Sequence, residues 1–409
     1  MGNTHASSVT KPQALFDWTR VRSARTAVMA SQTGLNGTES SKVAFSIPDP
    51  TSLPCAAFAR INEDVLRKDA ARALRYGGVQ GHVGLREWLA ADAQRKGDCT
   101  VGPENFALTC GAAGALENLC ETLLNPGDTV FVENPTFPGS LRTMRGCLAR
   151  VVGLPMDADG VVAEALQAEV ARAMQLGSRP KLFYTIANFN NPSGITTSLK
   201  RRRSIIEVCR SAGVLIAQDD AYGPLSFRSD AVPSIYHLTG GNGAVLIGTF
   251  SKTVATGLRI GWIMGAKTVI DDICRMRFDL GVSPWTSSII AEFCRRGLLD
   301  EHVERVTKLY RPKRDAMIAA LAKHCIGLVR WSTPQGGFSI WIELEGNVNP
   351  GRLFHNAWEA GVGYIRGSDF FADGQGDRFV RLCYSTIAVA EIREAIATFS
   401  QTVAGALNQ

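Results

Sequence analysis

The chain has 409 residues and no run of 18 or more apolar ones, so no stretch is long enough to span a bilayer as a helix. Its N-terminus lacks the apolar core of a secretory leader. Met1-Gly2 opens like a myristoylation site, but Ala6 stands where that motif requires Ser or Thr. Ten cysteines are scattered without one Cys-x-x-Cys pair. That argues against a zinc site and a disulfide framework, and for reduced thiols in the cytoplasm. Six histidines, His5, His82, His237, His302, His324 and His355, fall into no metal-ligand spacing and accompany no nucleophile motif. Charge is modest at 20%, with a net of +6, and there is no basic stripe interleaved with aromatics. The mild excess favours small anions without implying nucleic acid.

What is present is a composition suited to a large core, 45% hydrophobic, and a length that suits two lobes. Residues 1–10 read as a polar tail, Ala14 to Met29 has helical spacing, and Ser31 to Lys42 is loop-like. From Phe106 to Gly265 short apolar runs alternate with helical segments. The runs are Phe106–Thr109, Asp128–Val132, Lys181–Ile186, Val214–Gln218 and Ala244–Ile247. This order predicts a right-handed, mostly parallel α/β sheet whose ligand loops lie at the strand C-ends. A long helix at Glu301–Leu321 then leads to a second lobe with strands near 328–331, 338–344, 361–365 and 379–383. No Gly-x-Gly-x-x-Gly follows the first strand of the sheet, which argues against a dinucleotide-binding dehydrogenase.

The residues after those strands carry the chemistry. Lys252 lies between buried segments, in Thr249-Phe250-Ser251-Lys252, with Gly257 and Arg259 just beyond. A buried ammonium needs a partner or a lowered pKa, and Thr249, Ser251 and Arg259 are fit to hold a phosphate beside a reactive amine. The alternative is a core lysine paired with a surface acid. Gly111-Ala112-Ala113 turns into a helix and exposes backbone N–H groups to an anion. Phe137 follows a strand and can stack on a flat ring or simply pack in the core. Asn191 precedes Pro192 and is held out of the helical region. Asp219-Asp220 precedes Tyr222, and either aspartate is a candidate for a ring nitrogen. Lys200 to Arg203 reads as a solvated charge run.

Taken together, Thr-Phe-Ser-Lys-(x)4-Gly-Leu-Arg-Ile-Gly-Trp at 249–262, Asn191-Pro192-Ser193-Gly194 and Arg381-Leu382-Cys383-Tyr384-Ser385 resemble the fold-type I aminotransferases that use pyridoxal 5'-phosphate (PLP). The closest branch is that of kynurenine and 2-aminoadipate aminotransferases, and the likeness runs from about Ser46 to Ser385. It implies a large domain at residues 61–300 with a seven-stranded type of sheet, a smaller α/β domain at 301–409, and an arm with part of the small domain at 1–60. It implies that Lys252 carries PLP as a Schiff base, that Asp219 meets the pyridine nitrogen, and that Tyr222 and Asn191 meet the phenolic oxygen. Gly111, Ala112, Ala113, Thr249, Ser251 and Arg259 would hold the phosphate, Phe137 would stack on the ring, and Arg381 would grip the substrate α-carboxylate. Tyr76 would cross a homodimer interface to the partner's phosphate site. Amino acids and 2-oxo acids would be the substrates.

Two departures stand out. Phe45 and Ser46 replace the glycines of the family's Gly-Gly-x-Pro-(Asn/Asp)-Pro turn beside the substrate, and Ala112 and Ala113 replace hydroxyl or amide side chains. They keep open another PLP reaction: decarboxylation, elimination or replacement, oxidation, or carbon–carbon bond formation. A regulator's ligand-sensing domain ranks lower, because residues 1–45 read as too short and polar for a DNA-binding module.

Overall fold

The computed structural model describes residues 17–30, 43–97 and 100–407. The polar tail at 1–10 and the loop at 31–42 lie outside them. The main sheet is built from β1 (Phe106–Thr109), β2 (Thr129–Asn134), β3 (Arg150–Asp157), β4 (Gly160–Val161), β5 (Pro180–Thr185), β6 (Leu215–Asp219), β7 (Ala244–Thr249) and β8 (Gly261–Met264). Their spatial order is β1-β8-β7-β6-β5-β2-β3-β4. Strands β7, β6, β5, β2 and β3 pair in parallel, whereas β8 runs antiparallel to both β1 and β7. The two-residue β4 only folds back on β3, leaving seven full strands. Strand β1 is buried along its whole length and β2 at all but its last residue, as befits a parallel sheet covered by helices on both faces.

The second sheet is antiparallel, in the order β11-β12-β10-β9, from β9 (Val329–Trp331), β10 (Ser339–Leu344), β11 (Ile365–Arg366) and β12 (Phe379–Cys383). A helix at Leu298–His324 reaches it from the main sheet, and a C-terminal helix at Val389–Gly405 covers it. The second core includes residues from both of these helices and from the new sheet. No described helix is long and apolar enough to cross a membrane.

Three expectations need correction. The helical spacing at 14–29 yields a short 3-10 turn at Trp18–Val21 and a helix at Ala24–Ala30. Three strands, β3, β8 and the two-residue β4, have no counterpart among the apolar runs of the sequence. Arg202 in the charge run is fully buried: its guanidinium donates to the carbonyls of Thr197 and Ala187 and to Asn188 Oδ1. Burial lowers its pKa to about 10, and those acceptors explain why it is tolerated inside.

Candidate active site

A cavity of about 330 Å³ opens where the C-ends of the main sheet meet the second sheet. Lys252, Asp219, Tyr222, Asn191 and Arg381 all line it. So do Ser46, Phe137, Ala112 and Ala113, and on the far side Thr249, Ser251 and Arg259.

The anion end comes from one helix and one loop. Helix Gly111–Leu123 starts behind β1, and its N-cap, Cys110, makes no side-chain capping bond. Its first-turn N–H groups are therefore open to an external acceptor. Gly111 does not itself line the cavity but makes the turn, with φ of +71°, and a Cβ there would sit 2.9 Å from Arg259 Nη2. Gly261 in β8 is as constrained, since a Cβ would lie 2.5 Å from the Gly111 carbonyl carbon. The two glycines let β8 and the helix start close together. Thr249 Oγ1 lies 3.0 Å from Ser251 Oγ and accepts from Ser251 N at 3.1 Å.

In the centre, Asp219 ends β6 and is 8% exposed. Its carboxylate accepts from the Tyr184 hydroxyl at 2.8 Å and from Ala221 N at 3.0 Å. Burial pushes its pKa up to about 6, against the pull of those hydrogen bonds. Asp220 turns away, accepting from Asn188 Nδ2 at 2.6 Å, and does not line the cavity. Lys252 Nζ donates to Ser46 O at 2.6 Å and lies 5.8 Å from the centroid of the Tyr222 ring. Burial, and then the neighbouring Arg381 cation, lower its pKa to about 8. The Tyr222 hydroxyl is 2.9 Å from Ser46 Oγ.

At the other end, Arg381 sits on β12 and is 6% exposed. It donates from Nη1 to Asn191 Oδ1 at 3.0 Å and from Nη2 to Ala44 O at 2.9 Å, and stands 5.2 Å from the Phe370 ring. Its Nε is buried without a hydrogen-bond partner. Such a donor is suited to an incoming anion. Arg366 does not line the cavity; it pairs with Asp369 and lies over Phe354. Arg330 and Arg378 pair with Glu345 and Glu343. Tyr76 is 86% exposed and does not line the cavity of its own chain.

Two functional neighbours had no signal in the sequence. Tyr184 reads as a strand core residue, yet it anchors Asp219. Glu133, fully buried at the end of β2, accepts from Thr185 Oγ1, Ile186 N and Asn190 Nδ2, and so fixes the turn that carries Asn191.

The residues suit PLP: an uncapped helix start with a guanidinium for a phosphate, a buried carboxylate for a ring nitrogen, and an amine between them. The profile of aminotransferase class I and II matches residues 40–399. The chain belongs to that family. This aminotransferase therefore uses PLP, as the family does. It is 30% identical over 363 residues to aromatic-amino-acid aminotransferase 1 of Thermococcus litoralis, covering 88% of this chain and 87% of that one. Its fold matches LysN, the α-aminoadipate aminotransferase of Thermus thermophilus solved with N-(5'-phosphopyridoxyl)-L-leucine. That match has a TM-score of 0.88 and 27% identity, and covers 95% of this chain and 99% of the other. It is also 30% identical to an uncharacterised HTH-type transcriptional regulator of Bacillus subtilis, over 84% of this chain and 69% of that protein.

Proposed function

We propose that the enzyme transaminates α-amino acids with apolar side chains, and that Asp219, Phe137 and Lys252 would hold the PLP ring. The observation that carries this reading is the convergence of Lys252, Asp219, Tyr222, Asn191 and Arg381 on one cavity. When bound, the cofactor supplies the electron sink that acidifies the substrate's Cα–H bond. Asp219, ionised at neutral pH, keeps the ring nitrogen protonated. Tyr222 and Asn191 donate to the ring oxygen. The phosphate is taken by the N–H groups at Gly111, Ala112 and Ala113, the Thr249 and Ser251 hydroxyls, and Arg259. Lys252 Nζ, with its pKa near neutrality, moves the proton at substrate Cα.

The substrate's two ends are read separately. Arg381 takes the α-carboxylate, with Nε and Nη2 free to face it once Ala44 O is exchanged. The side chain meets Phe45, Ile47, Ile365 and Phe370. Among the described residues lining the cavity, the cations are Lys252, Arg259 and Arg381, each already assigned, so a second substrate carboxylate finds no partner there. An aromatic or branched aliphatic side chain fits that wall. The name of the Thermococcus litoralis relative points the same way.

We assign PLP binding to residues 61–300 and the carboxylate grip to residues 301–409, with residues 1–60 as an arm and part of the small domain, and take the cytoplasm as the compartment. Nine described cysteines are free, in keeping with a reducing environment. We further propose a homodimer with Tyr76 entering the other chain's phosphate site. Its support is the apolar surface around Tyr76: Leu74 and Phe278 are 64% and 90% exposed, and Gly77 packs against Pro284. If Tyr76→Phe is severe alone, mixing it with Lys252→Ala should restore activity; a fully active monomer in sedimentation would rule out shared sites.

The test of the reaction is to incubate the PLP-loaded enzyme with one amino acid at a time. Leucine or phenylalanine should give its 2-oxo acid and pyridoxamine phosphate, faster than glutamate does. Carbon dioxide or an eliminated fragment would place the enzyme in another PLP class, and binding without turnover would make it a sensor. Arg381→Ala should lower kcat/KM by ~10–150-fold for every amino acid, the loss of a charged hydrogen-bond partner, and Lys should rescue only part of it. An effect confined to acidic substrates would move the carboxylate anchor elsewhere.

A further inference from the structure

Ser46 touches both proton-handling groups of the site. Its carbonyl accepts from Lys252 Nζ at 2.6 Å, and its hydroxyl lies 2.9 Å from that of Tyr222. The stretch around it is fixed at each end. Cys383 N donates to Val43 O at 2.7 Å, and Ser385 Oγ donates to Ile47 O at 2.6 Å. The Ser46 hydroxyl therefore reaches Tyr222 from an anchored backbone.

A phenol has one proton and can both donate and accept. If Tyr222 donates to Ser46, its proton points away from the ring oxygen it is to serve. If Ser46 donates, the phenolic proton is free to turn into the cavity. We propose that Ser46 is a positioning residue: its hydroxyl donates to the Tyr222 oxygen and so commits the Tyr222 proton to the ring oxygen of PLP. Two hydrogen bonds in series polarise one another, so the second is stronger than Tyr222 alone would make. This inference rests on the PLP reading above.

The charged and titratable groups facing Lys252 and Tyr222 are Asp219, Arg259, Arg381 and Cys383. Of these, Cys383 alone also bonds the Ser46 side chain, a contact that lowers its thiol pKa against the rise from burial; the Tyr222→Phe background below separates that contact from the relay. A weaker bond from Tyr222 leaves the ring oxygen more basic, so the bound cofactor keeps its shared proton to higher pH. The readout is the pH midpoint of the visible absorption of the PLP-loaded enzyme. Ser46→Ala should raise that midpoint by ~0.4–1 unit, the equivalent of one neutral hydrogen bond. Its kcat should fall by up to ~10-fold with KM nearly unchanged. Ser46→Thr keeps the hydroxyl and should restore the midpoint. In a Tyr222→Phe background, Ser46→Ala should add no further shift. An unchanged midpoint in Ser46→Ala, or a shift that survives without the Tyr222 hydroxyl, overturns the proposal. A wild-type enzyme that binds no PLP, or whose borohydride label falls off Lys252, overturns the underlying reading as well. A titrating wild type with an indifferent Ser46→Ala overturns this inference alone.

Discussion

Lys252→Ala should reduce turnover by ~10⁴-fold or more while the protein folds normally and still binds PLP noncovalently. The lost amine has two tasks. It bonds the cofactor, and it moves the proton at Cα, a contribution that alone is typically worth ~10²–10⁴-fold. Folding should survive because the alanine leaves one backbone carbonyl, that of Ser46, beside an open cavity where water can replace the ammonium. Borohydride reduction of wild type followed by peptide mapping should place the label on the Lys252 peptide; a label on another lysine would sink the assignment. The pH arm has a definite sign. A lysine whose pKa is lowered to about 8 is mostly protonated below that pH and mostly neutral above it. Only the neutral amine is nucleophilic, so the rate of PLP capture by cofactor-free protein should climb through about pH 8 and level off above it. A rate already flat from pH 6 to 9 would contradict this.

Asp219→Asn should keep the cofactor and lose ~150–5000-fold in kcat. The reason is electrostatic. A protonated ring nitrogen is a buried cation, and the carboxylate of Asp219 is the anion that neutralises it. Removing one partner of a buried pair costs ~3–5 kcal/mol, which corresponds to that range. An amide cannot hold the ring nitrogen protonated. Asp220→Asn is the control. Asp220 faces Asn188 and the region of Arg202, so its loss should affect stability more than catalysis. Should Asp220→Asn abolish activity and Asp219→Asn prove mild, the two neighbours would have exchanged roles.

The strand C-ends were legible in the sequence because each apolar run breaks into a turn with a chemically distinctive residue. The unread strands lack that contrast. Strand β3 has mostly half-buried and exposed residues and contains Gly153 and Pro155, so no clean period emerges. Strand β8 is four residues long and begins at Gly261, whose close approach to the Gly111 backbone is visible only in three dimensions. Arg202 did leave a trace. It shares the buried face of its helix with Ile205 and Cys209, at spacings of three and seven, and the charges around it hid that pattern. Glu133 and Tyr184 left none, because a polar residue inside a continuously buried run has no periodicity to break. Their partners come from neighbouring strands and the turn after β5, and such pairing is what a linear reading lacks.

The stretch from Val43 to Ile47 has a consequence for how this enzyme can change. Four of its five peptide carbonyls accept from site groups: Cys383 N, Arg381, Lys252 and Ser385. Main-chain acceptors do not depend on the side chain they belong to. Val43 and Ala44 are fully buried and Ile47 lines the cavity, so changes there must conserve size, but any that fit leave the carbonyls in place. A one-residue insertion or deletion would slide every carbonyl past its donor at once and turn Ser46 away from Tyr222. Here the chain's length is under tighter constraint than its spelling, and a scan of single-codon gaps across 43–47 should be far more damaging than a scan of point changes.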